Sequence, residues 1–144
     1  MGDVQSVTGR CAPGELGVTL MHEHLLVGWP GWESHAGDDR AARRERTGVC
    51  VERMRELHGL GVRALLDPCP IDLGRDVELM AEVAAASGVR IVAATGLYKE
   101  DQGASAYFKF RTQFGDTLQE MTGLFVRELS VGIGDTGIRA GVIK

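Results

Sequence analysis

The chain has 144 residues, of which 44% are hydrophobic and 25% are charged, and its formal net charge is -4. This is an ordinary globular composition, and acidic and basic residues are interspersed, so no basic face indicates binding to a nucleic acid. No stretch approaches the 18 or so apolar residues of a membrane span, and residues 1–6 do not resemble a signal peptide. We therefore expect a cytoplasmic protein with neither a nucleic acid nor a membrane as partner.

The cysteines support the same compartment. Cys11, Cys50 and Cys69 are an odd number at wide spacing. A disulfide framework normally uses an even number of cysteines at patterned intervals, and it forms in oxidising surroundings. The spacing thus predicts free thiols in a reducing compartment.

The first half of the chain predicts two strands and one helix. Residues 17–24 form a short β-prone run, and the glycines, proline and tryptophans that follow it predict a long loop to about residue 37. Apolar positions at helical spacing predict a helix over 39–60, which Gly61 ends. The near-continuous apolar run at 62–67 is typical of a strand buried on both faces.

The second half repeats this alternation. Residues 72–76 open a helix whose apolar side chains fall on one face until Gly88. Residues 89–95 predict the third strand, and 97–116 predict a long irregular segment. A helix marked by apolar residues from 118 to 129 follows, and 138–144 predicts the fourth strand.

Four βα units of this kind predict an α/β fold with a parallel sheet. A closed (β/α)8 TIM barrel takes about 250 residues, so the chain supplies roughly its first half, strands 1–4. An open doubly wound sheet has the same local pattern. Because the sequence stops inside a strand, we expect residues 1–144 to be the N-terminal part of a single barrel domain, truncated or interrupted at Lys144.

Two histidines are the first candidates for chemistry. His22 and His24 are two residues apart on a predicted strand, where side chains alternate, so both rings should face the same side with Cα atoms about 6.6 Å apart. Both can then reach one metal ion, and neutral imidazole suits zinc and its neighbours. The other interpretation is two ordinary polar residues at a strand end.

Two short motif matches would indicate other kinds of site, but neither has the structural context that it needs. Residues 132–137 spell GxGxxG, but they follow a helix and precede a strand, which is the reverse of a dinucleotide-binding turn. His22 and His24 also lack the HExxH spacing of a helical zinc protease. Neither motif therefore indicates a dinucleotide-binding protein or a helical zinc protease.

Five stretches form an ordered pattern over nearly the whole chain. They are GVTLMHEH (17–24), GVR (61–63) with Asp67, DLGRDV (72–77), IVAATGLY (91–98) and DTGIRAGVIK (135–144). Together they resemble the phosphotriesterase family of the amidohydrolase superfamily. The resemblance implies a (β/α)8 barrel, with His22 and His24 as the opening metal motif.

The resemblance also implies a two-metal centre. Lys144 stands where the family has a lysine carboxylated by carbon dioxide, and its carbamate bridges two divalent ions: zinc, or else iron, cobalt or manganese. An apolar strand disfavours the charged ammonium, so the neutral amine can react. Two more histidines and an aspartate from later strands would complete the site, so these 144 residues are not expected to be active alone. A homodimer is expected by the same resemblance.

Tyr98 is the predicted substrate-binding residue. It follows the third strand, where the lactonase-like members of the family often carry a tyrosine, and its hydroxyl can reach a lactone ester; plain wall packing is the alternative. The segment 99–114 departs from the short loop of those members. Its Lys99, Lys109 and Arg111 either meet an anionic substrate or are solvated. Cys69 either lines the site or is a small buried thiol.

The function implied is hydrolysis of a lactone or related carboxylic ester, such as an acyl-homoserine lactone, by a hydroxide that the two metals share. Phosphotriester hydrolysis is the alternative, followed by amide or carbamate cleavage. A different class of function is a metal-containing barrel that binds a small molecule without turnover.

Overall fold

The chain folds into alternating strands and helices in a computed structural model that describes residues 2–36, 39–99 and 105–144. In chain order the elements are β1 (Val4–Ser6), β2 (Gly9–Cys11), a 3-10 turn (Pro13–Glu15), β3 (Val18–Leu20), α1 (Trp32–Ala36), α2 (Arg40–Gly59), β4 (Val62–Asp67), α3 (Val77–Ser87), β5 (Arg90–Thr95), α4 (Ser105–Arg111), α5 (Thr117–Ser130) and β6 (Val142–Ile143). None of the helices in these ranges is long and apolar enough to cross a membrane.

The main sheet has four parallel strands within the described ranges, in the order β3-β4-β5-β6. Helices connect successive strands, so the chain is a series of βα units. A doubly wound sheet reverses its strand order at a switch point. The order here follows the chain without reversal, as in the first half of a (β/α)8 barrel, and the predicted fold class is confirmed.

The core lies between this sheet and its helices. Leu65 of β4 and Ile91 of β5 are fully buried, and they share one apolar cluster with Met80 and Val83 of α3. Burial of each such side chain contributes about 1.5–3 kcal/mol. The strong apolar pattern of β4, α3 and β5 therefore fixes the middle of the sheet.

Aspartates begin the three longer helices in the described ranges. Asp39 accepts from the amide of Ala41 at 2.8 Å, and Asp76 accepts from that of Leu79 at 2.9 Å. Asp116 caps α5 in the same way. These caps satisfy amides that have no partner within the helix.

The predicted first and last strands are wrong in extent. β3 covers Val18–Leu20 rather than 17–24, and β6 covers Val142–Ile143 rather than 138–144. After β3 the amide of Glu23 still donates to the carbonyl of Leu66 in β4 at 3.2 Å, but the amide of Leu25 donates to the side chain of Asp67 at 3.0 Å. A side-chain acceptor of this kind competes with regular strand pairing.

A short N-terminal hairpin was not predicted. β1 and β2 pair antiparallel, and the amide of Val7 donates to the carbonyl of Ile91 at 2.8 Å. Gly141, just before β6, also lies against the carbonyl of Gln5. The hairpin therefore packs on the amino ends of β5 and β6.

Candidate metal centre

The predicted functional side chains lie beyond the carboxyl ends of the four parallel strands. His22 and His24 follow β3, Tyr98 follows β5, and Lys144 follows β6. Parallel strands bring their carboxyl ends to one edge, which is where barrel enzymes place their active sites. The topology thus gathers residues that are up to 122 positions apart (144 − 22) at one end of the sheet.

The two histidines contact each other although they lie outside the strand. Their ring centroids are 5.3 Å apart with an interplanar angle of 77°. His22 is exposed, and the side chain of His24 is 24% exposed. The predicted proximity is therefore present, but a bend after β3 produces it instead of strand alternation.

His24 rests on a buried pair of groups that follows β4. Its Nδ1 lies 2.9 Å from Sγ of Cys69 and 3.4 Å from Oδ1 of Asp67, and neither Asp67 nor Cys69 is exposed. Both oxygens of Asp67 also accept backbone hydrogen bonds, from Leu25 and from Cys69. Asp67 therefore ties the end of β4 to the segment that carries the histidines.

Burial dominates the chemistry of the thiol. It raises the pKa of Cys69 from its ordinary value of 9.0 to about 12, and the negative charge of Asp67 and its hydrogen bond add to the rise. The positive charges of Lys144 and Arg75 act in the opposite direction. Cys69 is therefore a protonated thiol near neutral pH, at a distance where the charge of Lys144 still acts on it.

Tyr98 joins the candidate site through both its backbone and its ring. Its amide donates to the carboxylate of buried Asp72 at 2.9 Å. Its ring packs edge-on against Trp29, with centroids 5.8 Å apart, and the Nζ atoms of Lys144 and Lys99 each lie 5.4 Å from its centre. The structure thus brings Tyr98 and Lys144 together.

Lys144 is positioned by its backbone. Its amide donates to the carbonyl of Thr95 at 2.8 Å, and its residue as a whole is exposed. The sequence predicted that this lysine lies inside an apolar strand. In the structure it directly follows β6.

The long segment after β5 is only partly irregular. Residues 105–111 form α4, where Phe108 is 8% exposed, while residues 100–104 lie outside the described ranges. Arg111 forms a two-pronged salt bridge with Glu120, at 2.7 and 3.1 Å. This cation is therefore paired within the chain, which weakens the expectation that it meets an anionic substrate.

Sequence reasoning missed two buried acidic groups at this end. Asp67 was recognised as part of a motif but not as the partner of His24. Glu128 accepts from Arg75 at 2.6 and 2.7 Å and from Thr95 at 2.6 Å. A glutamate on the apolar face of α5, between Phe125 and Leu129, was the signal that could have found it.

The GxGxxG match at 132–137 is a connection between α5 and β6, as predicted. Within it, the amide of Ile133 donates to the carbonyl of Ile138 at 2.8 Å. The element directly before it is the helix α5, and the element directly after it is the strand β6. It therefore lacks the context of a dinucleotide site.

The donor groups suit a divalent transition metal. Zinc binds imidazole nitrogen at about 2.0–2.1 Å, so two rings whose centres are 5.3 Å apart can share one ion. Imidazole and carboxylate-type oxygen, which a carboxylated Lys144 would supply, are ligands that zinc accepts. The residues present thus fit the expected metal.

The four-stranded parallel sheet is that of the first half of a (β/α)8 barrel, and the candidate residues lie beyond the carboxyl ends of its strands. The profile of the phosphotriesterase family matches residues 2–144. The chain belongs to the phosphotriesterase family.

Individual relatives agree with this assignment. A phosphotriesterase homology protein from Mycobacterium tuberculosis is 35% identical over all of the chain and 44% of its own length. An aryldialkylphosphatase from Saccharolobus solfataricus is 30% identical over 90% of the chain and 39% of its own length. A mutant PTE-like lactonase from Deinococcus radiodurans superposes with a TM-score of 0.90 at 39% identity, over 97% of the chain and 44% of that protein. The chain thus spans less than half the length of these relatives.

Proposed function

We propose that the protein is a binuclear metal-dependent hydrolase that attacks a lactone or a related carboxylic ester. One observation carries the proposal: His22, His24, Tyr98 and Lys144 gather at the carboxyl end of a parallel sheet in a chain of the phosphotriesterase family. The substrate class that we propose includes the acyl-homoserine lactones. The similarity to a lactonase supports this substrate class over other esters.

The proposed ligands are His22, His24 and Lys144. The amine of Lys144 attacks carbon dioxide and releases a proton, and the resulting carbamate supplies anionic oxygens. Two bound cations, zinc or else iron, cobalt or manganese, would activate a water and polarise the electrophilic oxygen of the substrate. Further ligands are expected from barrel strands beyond the four described here.

Tyr98 would orient the substrate. Its ring packs edge-on against Trp29, and its centre lies 5.4 Å from Nζ of Lys144, so the ring is held beside a proposed metal ligand. From there the hydroxyl can donate a hydrogen bond to an ester oxygen, and the two aromatic rings offer an apolar wall for an acyl chain. Both contacts suit a neutral, partly apolar ester.

The first test is the intact mass and the metal content of the native protein. We expect an excess of about 44 Da on Lys144, the mass of carbon dioxide, and about two transition-metal ions per chain. Lys144→Ala should lose at least one metal ion. Lys99→Ala is the matched control, because its ammonium is as close to Tyr98 as that of Lys144. Retention of two ions by Lys144→Ala would contradict the bridging role.

Phosphotriester hydrolysis is the second candidate. The 30% identity to an aryldialkylphosphatase favours it specifically. Comparison of kcat/KM on matched lactone and phosphotriester panels distinguishes the two. Metal binding with no turnover on either panel would favour a ligand-binding barrel.

A further inference from the structure

The Nδ1 atom of His24 faces inward, towards two buried groups. It lies 2.9 Å from Sγ of Cys69 and 3.4 Å from Oδ1 of Asp67. Both partners are fully buried, so water does not compete at these atoms. Which ring nitrogen carries the proton is therefore decided by what these two groups can accept or donate.

Sγ of Cys69 lies at hydrogen-bond distance from the ring, and the carboxylate of Asp67 faces the same nitrogen at 3.4 Å. The two oxygens of Asp67 accept amide hydrogens from Leu25 and Cys69, at 3.0 and 2.9 Å, which is the behaviour of a carboxylate. The thiol of Cys69 donates to the carbonyl of Leu26 at 3.1 Å. The other partner of the thiol is the carboxylate of Asp67, and a carbonyl and a carboxylate both only accept. A thiol proton directed at either of them leaves the sulfur with lone pairs to offer His24.

We propose that Asp67 and Cys69 are positioning residues that hold the proton of neutral His24 on Nδ1. The ring is then fixed in one orientation, and Nε2 keeps the lone pair that a metal ion requires. Hydrogen bonds of this kind to the non-ligating nitrogen of a histidine set its tautomer and its affinity for metal. The role of Nε2 rests on the function proposed above, whereas the position of the proton does not.

The same three residues form a compact group that could itself be taken for a metal site. The distances argue against this. Two ligands of a tetrahedral zinc ion, at about 2.1 and 2.3 Å, are separated by roughly 3.5 Å. Nδ1 and Sγ are only 2.9 Å apart, and both oxygens of Asp67 already accept amide hydrogens. The group is a hydrogen-bonded support beneath His24.

The test is the tautomer of His24, read from long-range proton–nitrogen NMR correlations of the metal-free, histidine-labelled protein, with His24→Gln to assign the signals. We expect the wild type to carry the proton on Nδ1. Cys69→Ala and Asp67→Asn should each shift the ring towards the Nε2-protonated form, and Cys69→Ser should retain the wild-type tautomer. The matched control is Cys50→Ala, another buried thiol that donates to a neighbouring carbonyl, that of Leu25.

A second readout is metal affinity by chelator competition. Cys69→Ala should weaken binding by about 10-fold to 100-fold, whereas Cys69→Ser and Cys50→Ala should bind as the wild type does. Wild-type His24 protonated on Nε2, or a tautomer unchanged in both Cys69→Ala and Asp67→Asn, would overturn the proposal. A thiolate-to-metal absorption band after cobalt loading would overturn it too, in favour of an ion held by Cys69. If His24 is protonated on Nδ1 but the protein binds no metal, the positioning role of Asp67 and Cys69 is confirmed and the proposed hydrolase function is contradicted.

Discussion

Gly96 follows β5 with a φ of +113°, a conformation that side chains disfavour. A Cβ atom here would meet the carbonyl oxygen of Lys144, and would lie 3.0 Å from its amide nitrogen. The proposed metal ligand therefore packs directly on a residue without a side chain. The close approach of the two backbones at this position helps to fix where Lys144 lies.

Gly96→Ala should displace Lys144 and lower the metal content as well as the stability. The strained φ alone costs about 1–3 kcal/mol. Gly61→Ala is the matched control, since Gly61 has a φ of +97° with nothing within 4 Å of an added Cβ. Urea unfolding and metal analysis of both variants check this. Equal metal content in the two would show that the contact with Lys144 is unimportant.

Cys50 provides a residue-scale pH dependence. Burial raises the pKa of its thiol above the ordinary value of 9.0, and the negative charge of Asp67 raises it further. The folded thiol thus binds its proton more tightly than the unfolded one, so its contribution is complete below pH 9.0 and is lost as the pH rises through the folded pKa. The wild type should lose more free energy of unfolding above pH 9.0 than Cys50→Ser does. Urea titrations of both proteins on either side of pH 9.0 measure the difference.

At the scale of elements, a buried salt bridge joins α5 to the sheet. Arg75 and Glu128 are 4% and 5% exposed, and Arg75 also donates to the carbonyl of Ala94 in β5 at 2.8 Å. Thr95 donates to the same glutamate. The pair therefore links the segment before α3, the end of β5 and the interior face of α5.

Glu128→Gln should lower the free energy of unfolding by about 3–5 kcal/mol, because it leaves the Arg75 guanidinium buried without a counter-charge. Glu56→Gln removes the exposed Arg53 pair on α2 and should change little. Urea unfolding of the two variants measures both effects. Similar losses in the two would mean that burial of the Arg75 pair does not matter.

Elements with a strong apolar pattern could be predicted from the sequence. β4, α3 and β5 combine buried apolar runs with an aspartate or glycine at their ends. The bounds of β4 and β5 differ little from the prediction, whereas α3 begins at Val77 and not within 72–76. α4 and the N-terminal hairpin could not be predicted, because each is short, and the hairpin also depends on a contact with a distant segment. The bond from Val7 to Ile91 joins residues 84 positions apart (91 − 7).

The residues of the candidate site could also be predicted only in part. His22, His24, Tyr98 and Lys144 were found through motifs, and the structure places them at one end of the sheet. The contacts of His24 with Asp67 and Cys69 were not found, because they cross 43 and 45 positions (67 − 24 and 69 − 24) and depend on how the chain bends after β3. The local sequence pattern does not predict such a bend.

For the whole molecule, metal binding should be coupled to stability. A ligand that binds only the folded state at about 100 times its Kd adds roughly 2.7 kcal/mol. Removal of metal by a chelator should therefore lower Tm, and His22→Ala should abolish the response. His35→Ala is the matched control, since it removes an exposed histidine of α1. An identical response in His22→Ala would remove His22 from the proposed ligands.

The N-terminal hairpin packs on the amino ends of β5 and β6, whereas the candidate site lies beyond their carboxyl ends. β5 has six residues, so its two ends are roughly 20 Å apart. The protein can therefore be tethered to a solid support at Asp3, which is exposed beside the hairpin, with its reactive end turned towards the solution. Because Cys11, Cys50 and Cys69 are all buried, a thiol introduced by Asp3→Cys would be the attachment point that couples first.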